Sequence, residues 1–224
     1  MIPQGTLWYR FVRWFARYFI LGFFTGGLRI VGRENVPLDG PVILAPIHLS
    51  HFDPPVVACA SPRALSFIAK EELFRPFLLG PLIRSLGAFP VRRGVLDKSA
   101  IRLAIERLQE GGTLIMFPEG TRGDGKTMLP LQSGVAMIAK RSGAAVVAVG
   151  ICGTHKILPK GATLPRFSRL KVAFAEPITW DEIATSGNSR QNRALFAEEL
   201  SKRIVEQCRV AGLEVRTAEL SEDR

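Results

Sequence analysis

Cysteine is scarce in this chain: Cys59, Cys152 and Cys208 stand far apart and form no C-x-x-C pair. The scarcity argues against a disulfide framework or a cysteine zinc site and fits a reducing compartment. Acidic residues are missing from the N-terminal stretch, where none precedes Glu34. Long apolar runs are missing there too. The longest uncharged segment, Tyr18 to Leu28, has 11 residues, against about 20 for a helix that spans a bilayer. A simple transmembrane helix is therefore not expected. Arginines interrupt the apolar N-terminus and no small-residue cleavage site ends it, so no cleavable signal peptide is expected either. The absence of a Gly-x-Ser-x-Gly elbow argues against a serine hydrolase of that type. No internal repeat, low-complexity tract or clear linker divides the 224 residues, so one domain with a sizeable core is expected.

What is present is a globular composition, 47% hydrophobic and 22% charged, with a net charge of +10. That charge suits phosphate-bearing partners, whether nucleic acid, anionic lipid or phosphorylated small molecules, and does not choose among them. Residues 6–24 read as an amphipathic helix. Arg10, Arg13 and Arg17 share a narrow stripe, with Trp8, Val12, Phe15 and Phe19 opposite. Such a helix either lies in a membrane interface or packs on the protein's own core; the large aromatics and the lack of acids favour the interface. After Thr25-Gly26-Gly27 the chain alternates strand-like and helix-like segments. Strands are expected at Val42–Ala45, Leu65–Ala69, Leu114–Phe117, Ala145–Val149 and Leu170–Phe174. Helices are expected from Asp53 to Cys59, Asp97 to Gln109, Ser133 to Ser142 and Arg190 to Val210. This order predicts an α/β fold: a central, mostly parallel or mixed sheet covered by helices.

Three segments carry chemistry. In Ile47-His48-Leu49-Ser50-His51-Phe52-Asp53 a histidine precedes a carboxylate by five positions at the end of a strand-like run. A carboxylate holding one imidazole nitrogen leaves the other free to take a proton from a hydroxyl. On a regular helix residues five apart point about 140° apart, so His48 and Asp53 meet only if the chain bends between them. The plainer reading makes His48 a loop histidine and Asp53, before Pro54-Pro55, the N-cap of a helix. In Phe117-Pro118-Glu119-Gly120-Thr121-Arg122, after an apolar run, a carboxylate, a glycine and an arginine sit where α/β sheets collect ligands. The plainer reading is a surface loop with an internal ion pair. In Gly87-Ala88-Phe89-Pro90-Val91-Arg92-Arg93 adjacent arginines can grip phosphate through forked hydrogen bonds. Lys70 lies upstream of them.

Taken together and in this order, these segments resemble the 1-acylglycerol-3-phosphate acyltransferases, from about Gly32 to Pro177. The resemblance implies an α/β sheet with an N-terminal membrane-associated helical element. It also implies transfer of an acyl group from an acyl thioester, acyl-CoA or acyl carrier protein, to the free hydroxyl of lysophosphatidic acid, giving phosphatidic acid. The family's general base falls on His48 and its orienting carboxylate on Asp53. Glycerol phosphate binding falls on Lys70, Arg93 and the Glu119, Gly120, Thr121 and Arg122 loop. No metal or cofactor is implied. The domains expected on this basis are a membrane-associated helix over 1–30, an acyltransferase domain over 31–216 and an acidic tail over 217–224, with the protein on the cytoplasmic face of the membrane. The chain departs from the family in having Ile47 where many members have Asn, Arg92 where an acid is common, and no proline in Ala144–Val149. The first two bear on acceptor preference.

Other readings compete. Gly120-Thr121-Arg122-Gly123-Asp124-Gly125-Lys126-Thr127 matches the phosphate-loop pattern. That loop must open into a helix at Lys126-Thr127, and Pro130 would fall inside it at a cost of about 3 kcal/mol. No apolar strand ends in a magnesium-binding Asp. Nucleic-acid binding accounts for the charge but not for the His48/Asp53 spacing or the apolar N-terminus. A related acyltransferase with another glycerol-based or lysophospholipid acceptor, and a non-catalytic lipid-binding protein of the same fold, remain as alternatives.

Overall fold

The structure, a computed structural model, describes residues 6–91, 98–158, 164 and 166–217. Among these the strands are β1 (Leu28–Val31), β2 (Val42–Pro46), β3 (Ser66–Lys70), β4 (Ala88–Val91), β5 (Thr113–Ile115), β6 (Thr127–Met128), β7 (Ala145–Cys152), β8 (Leu170–Phe174) and β9 (Arg216–Thr217). The α-helices are α1 (Leu7–Phe15), α2 (Gly22–Thr25), α3 (Asp53–Ala60), α4 (Leu79–Ser85), α5 (Lys98–Gln109), α6 (Gly134–Ser142), α7 (Thr154–Ile157), α8 (Trp180–Ile183) and α9 (Ser189–Ala211).

Seven strands make one sheet in the order β1-β8-β7-β2-β5-β3-β4. All neighbours are parallel except β7 and β8, so the sheet is mixed and mostly parallel, as the alternation predicts. The middle strands are apolar along their length because both faces are covered: every residue of β2 and β5 is buried. Helices bring matching stripes, with Ala100, Ala104 and Leu108 of α5 and Phe196, Leu200, Ile204 and Cys208 of α9 all buried. The α9 start is set by Asn188 and Gln191 in a reciprocal capping box. Gly143, at φ 66°, ends α6 in the left-handed conformation that favours glycine. Helix α9 lies so close to β7 that a Cβ on Gly150 would run into the backbone of Gln207 and Cys208.

The N-terminal segment is helical from Leu7 to Thr25, but a π-helical stretch, Ala16–Leu21, separates α1 from α2. Thr6 caps it by accepting from the Tyr9 amide. Its faces differ from the expectation. Arg13 donates to the Ser61 carbonyl and Arg17 to the Cys59 carbonyl, each at 3.3 Å. These carbonyls end α3, where helix groups lack intrahelical partners and the dipole favours cations. Two of the three arginines are thus half-buried against the protein. Leu7, Trp8, Phe11, Trp14, Phe15 and Tyr18 are exposed, and Val12 is half-buried. The side chains of Phe19 and Lys70, and residues 92–97 with Arg93, lie outside the described residues, as does the acidic tail beyond Thr217.

Helix α4, which the periodicity does not announce, adds a second exposed apolar group: Phe77 and Leu78 just before it, Leu79 and Leu82 within it. Trp8 joins the two regions by donating its indole N–H to Ser85 Oγ at 3.0 Å. No helix among the described residues is long and apolar enough to cross a membrane.

Candidate active site

Strands β2 and β5 are parallel neighbours, in register from Val42 with Thr113 to Leu44 with Ile115. Their C-terminal ends therefore release residues 47–52 and 116–126 side by side, beyond the same edge of the sheet. The backbones are tied together: the Gly123 amide donates to the His48 carbonyl and the Met116 amide to the Leu44 carbonyl.

The bend required between His48 and Asp53 is present. Asp53 is the first residue of α3, with Phe52 in the capping position, so it does not cap its own helix. Its side chain turns back over the loop instead. Oδ2 accepts from the Leu49 amide at 2.6 Å and the Ser50 amide at 2.7 Å, and lies 2.9 Å from His48 Nδ1. Asp53 is fully buried, whereas the His48 side chain is 16% exposed. The His48 ring also stacks on Phe117, centroids 4.0 Å apart. An imidazole held at Nδ1 by a fixed carboxylate and clamped on one face presents Nε2 as its free proton acceptor. The other carboxylate oxygen, Asp53 Oδ1, is buried without a hydrogen-bond partner among the described residues.

Glu119 is placed differently from a carboxylate that grips substrate. It is 3% exposed, and its two oxygens accept from the His48 amide at 2.8 Å and the Leu129 amide at 3.1 Å. Burial pushes its carboxyl up, partly offset by those two amides and by His48. Gly120 is exposed in a left-handed turn at φ 68°, with the Gln132 side chain against it. Thr121 is exposed and Arg122 half-buried, and Arg122 directly precedes the glycine bonded to His48. Lys70 ends β3, an adjacent parallel strand, so its backbone leaves the same edge. The phosphate-loop reading fails on local structure. Asp124 accepts from the Lys126 and Thr127 amides, and Thr127 opens β6, paired with β9, in place of a helix.

Sequence reasoning missed His155 on α7. Burial is the main cause lowering its imidazole, with Lys156 adding and Asp53 opposing, and its Nδ1 is buried without a partner among the described residues. No motif signals it, because β7 and α7 bring it near Asp53 from a hundred residues further along.

Comparisons with known proteins agree with this architecture. Residues 27–152 match the family model described as Acyltransferase. The chain is 29% identical over 182 residues to a 1-acyl-sn-glycerol-3-phosphate acyltransferase of Bacillus subtilis, covering 81% of this chain and 88% of that one. It is 31% identical over 185 residues to the protein of that name from Streptococcus pneumoniae, covering 81% and 67%. The crystal structure of the 1-acyl-sn-glycerophosphate (LPA) acyltransferase PlsC from Thermotoga maritima superimposes with a TM-score of 0.73 at 32% identity, covering 90% of this chain and 79% of that one. With more than half its length matched by the family model, and with a relative of this identity and a mostly parallel sheet of the same architecture, the chain belongs to the acyltransferase family.

Proposed function

We propose that the protein moves a fatty acyl group from an acyl thioester to the free hydroxyl of 1-acylglycerol 3-phosphate, giving phosphatidic acid. The observation that carries this reading is the 2.9 Å approach of His48 Nδ1 to the buried Asp53 carboxylate. His48 Nε2 takes the hydroxyl proton as the glycerol oxygen attacks the thioester carbonyl. The tetrahedral intermediate collapses by breaking the C–S bond, and the imidazolium returns the proton to the departing sulfur. Asp53 holds the ring in the required tautomer and steadies its positive charge. No acyl-enzyme is formed in this scheme and no cofactor takes part.

Lys70, Arg93 and Arg122 are assigned to the acceptor's phosphate, and Gly120 and Thr121 to the turn that presents Arg122. Glu119 is assigned to holding the His48 backbone, because both its oxygens are engaged there. The acceptor is an amphiphile, so the enzyme works at a bilayer surface; on this reading it is the cytoplasmic one, where acyl-CoA or acyl carrier protein supplies the donor. The exposed aromatic face of α1 and the apolar residues around α4 support such docking.

The test is direct. Purified protein is supplied with lysophosphatidic acid in vesicles and with each donor in turn, and the lipid formed is identified. Phosphatidic acid is expected. His48→Ala should lower the rate at least ~10²-fold, Asp53→Asn should also be severe, and His51→Ala should be mild. An active His48→Ala enzyme would sink the mechanism.

A further inference from the structure

At the far end of α3 from the His48–Asp53 pair, four arginines gather round one opening. Arg10, Arg13 and Arg17 come from the N-terminal helical segment and Arg33 from the turn after β1. They line a cavity of about 350 Å³ whose remaining wall includes Trp14 and Tyr18, and among the described residues no carboxylate lines it. Arg33 donates to the Ser61 carbonyl at 3.4 Å, the same oxygen that Arg13 uses. Each of these contacts occupies one of the five N–H groups a guanidinium carries, so the cluster keeps donors to spare. Burial, then the neighbouring Arg17 and Arg13 charges, push Arg33 below its ordinary range. The carbonyl end of α3 offsets only a fraction of one charge. Like charges so close are stable together when an anion sits among them.

The rim says which kind of anion. Trp14 and Tyr18 are about half exposed and belong to a run of neighbouring rings, Phe11 to Trp14 at 6.4 Å and Trp14 to Tyr18 at 5.9 Å. A cationic hole beside an apolar aromatic face matches a molecule with a phosphate at one end and hydrocarbon alongside. We propose that this cavity is a second lipid site, which takes the phosphate head of an anionic phospholipid of the surrounding bilayer. It is not the acceptor's site. The seven steps of α3 from Asp53 to Ala60 span about 10 Å, which leaves a phosphate held by the arginines docked on the Ser61 and Cys59 carbonyls too far away to bring its own glycerol hydroxyl to His48. A lipid bound here would hold the N-terminal segment and α3 together and fix the protein's angle on the membrane.

The test uses the full chain and vesicles of phosphatidylcholine with or without phosphatidylglycerol. Binding is read by co-sedimentation, and no acyl transfer is involved, so the result is independent of the function proposed above. Arg10→Gln with Arg33→Gln should weaken binding to phosphatidylglycerol vesicles about tenfold and leave binding to neutral vesicles unchanged. The matching pair of Lys substitutions should restore only part of the loss, because the guanidinium fork is gone. Unchanged binding in the Gln pair overturns the proposal. Full restoration by the Lys pair also overturns it, in favour of diffuse attraction. Inorganic phosphate is run against each protein in thermal unfolding. If phosphate protects the wild type alone while phosphatidylglycerol vesicles discriminate nothing, the site takes a free anion and the lipid proposal fails. Arg10 is exposed, so Arg10→Gln alone carries the test if the double variant does not fold; its expected loss is severalfold.

Discussion

Glu119 buries a carboxylate to hold a backbone. Its oxygens bridge the His48 amide, in one loop, to the Leu129 amide, beyond the next. The Gly123 amide returns the tie to the His48 carbonyl at 2.8 Å, so the catalytic candidate is fixed through the backbone on both sides of its α-carbon. Glu119→Gln keeps the size but offers one acceptor where two are needed, and its NH₂ then faces an amide N–H. We expect a loss of about 1–3 kcal/mol of stability at neutral pH and a fall in kcat with little change in KM for the acceptor, since a residue acting through His48 alters its aim. The pH dependence carries a sign. Burial raises the folded carboxyl, so its favourable contribution is fully present below the unfolded value, about 4.3, and declines as pH rises through the folded one. The stability gap between wild type and Glu119→Gln should therefore narrow as pH increases from about 4. Denaturant titrations at several pH values measure it; a gap that widens would contradict the burial argument.

Among the elements, β7 and α9 approach closely enough to exclude a side chain. Gly150 stands where α9 crosses the strand, and Phe196, Leu200, Ile204 and Cys208 fill the seam. Burial pushes the Cys208 thiol up to about 12, which keeps it protonated and apolar in this seam. Gly150→Ala forces the helix away from the sheet. The expected penalty is about 1–3 kcal/mol, as for other overpacked cores, read as a lower denaturant midpoint with an unchanged slope. The specific activity of the folded fraction should be retained, because β2 and β5 carry the site loops. The N-terminal helix teaches a related point. Its π-helical stretch at Ala16–Leu21 shifts the phase of the residues that follow, and Arg13 and Arg17 dock on carbonyls of α3. The face turned outward is therefore the one with Leu7, Phe11, Trp14 and Tyr18.

On the scale of the whole molecule, most of the exposed large apolar side chains gather in two neighbouring regions. Those of α1 and those at Phe77, Leu78, Leu79 and Leu82 are joined through the Trp8–Ser85 bond. Phe77 is 89% and Leu78 79% exposed, an exposure that marks an interaction surface when it is contiguous. With a net charge of +10, such a surface fits an anionic bilayer. Phe77→Ser with Leu78→Ser should weaken vesicle binding about tenfold or more, given ~1.5–3 kcal/mol for each large apolar side chain taken out of water. Activity on vesicle-borne acceptor should fall more than activity on detergent-solubilised acceptor. Equal losses on both would show that these residues serve the fold or the site and not the docking.

The sequence by itself determined the central strands β2, β3, β5, β7 and β8 and the helices α3, α5, α6 and α9, because apolar runs and 3.6-residue stripes are local properties. It carried Gly143, which stops α6, and the His48–Asp53 spacing whose bend the structure contains. It did not determine what lies outside those local patterns. Periodicity says which residues share a face of α1, but the carbonyls that draw Arg13 and Arg17 inward belong to residues more than forty positions away. Glu119 reads as a substrate ligand in its motif; its partner amide is 71 residues back, at His48. The α4 surface has no alternation to reveal it, and His155 reaches the neighbourhood of Asp53 only through the crossing of β7 beside β2. Tertiary structure decided these points because a hydrogen bond or a buried face depends on the distance through space between segments, and the sheet order sets that distance.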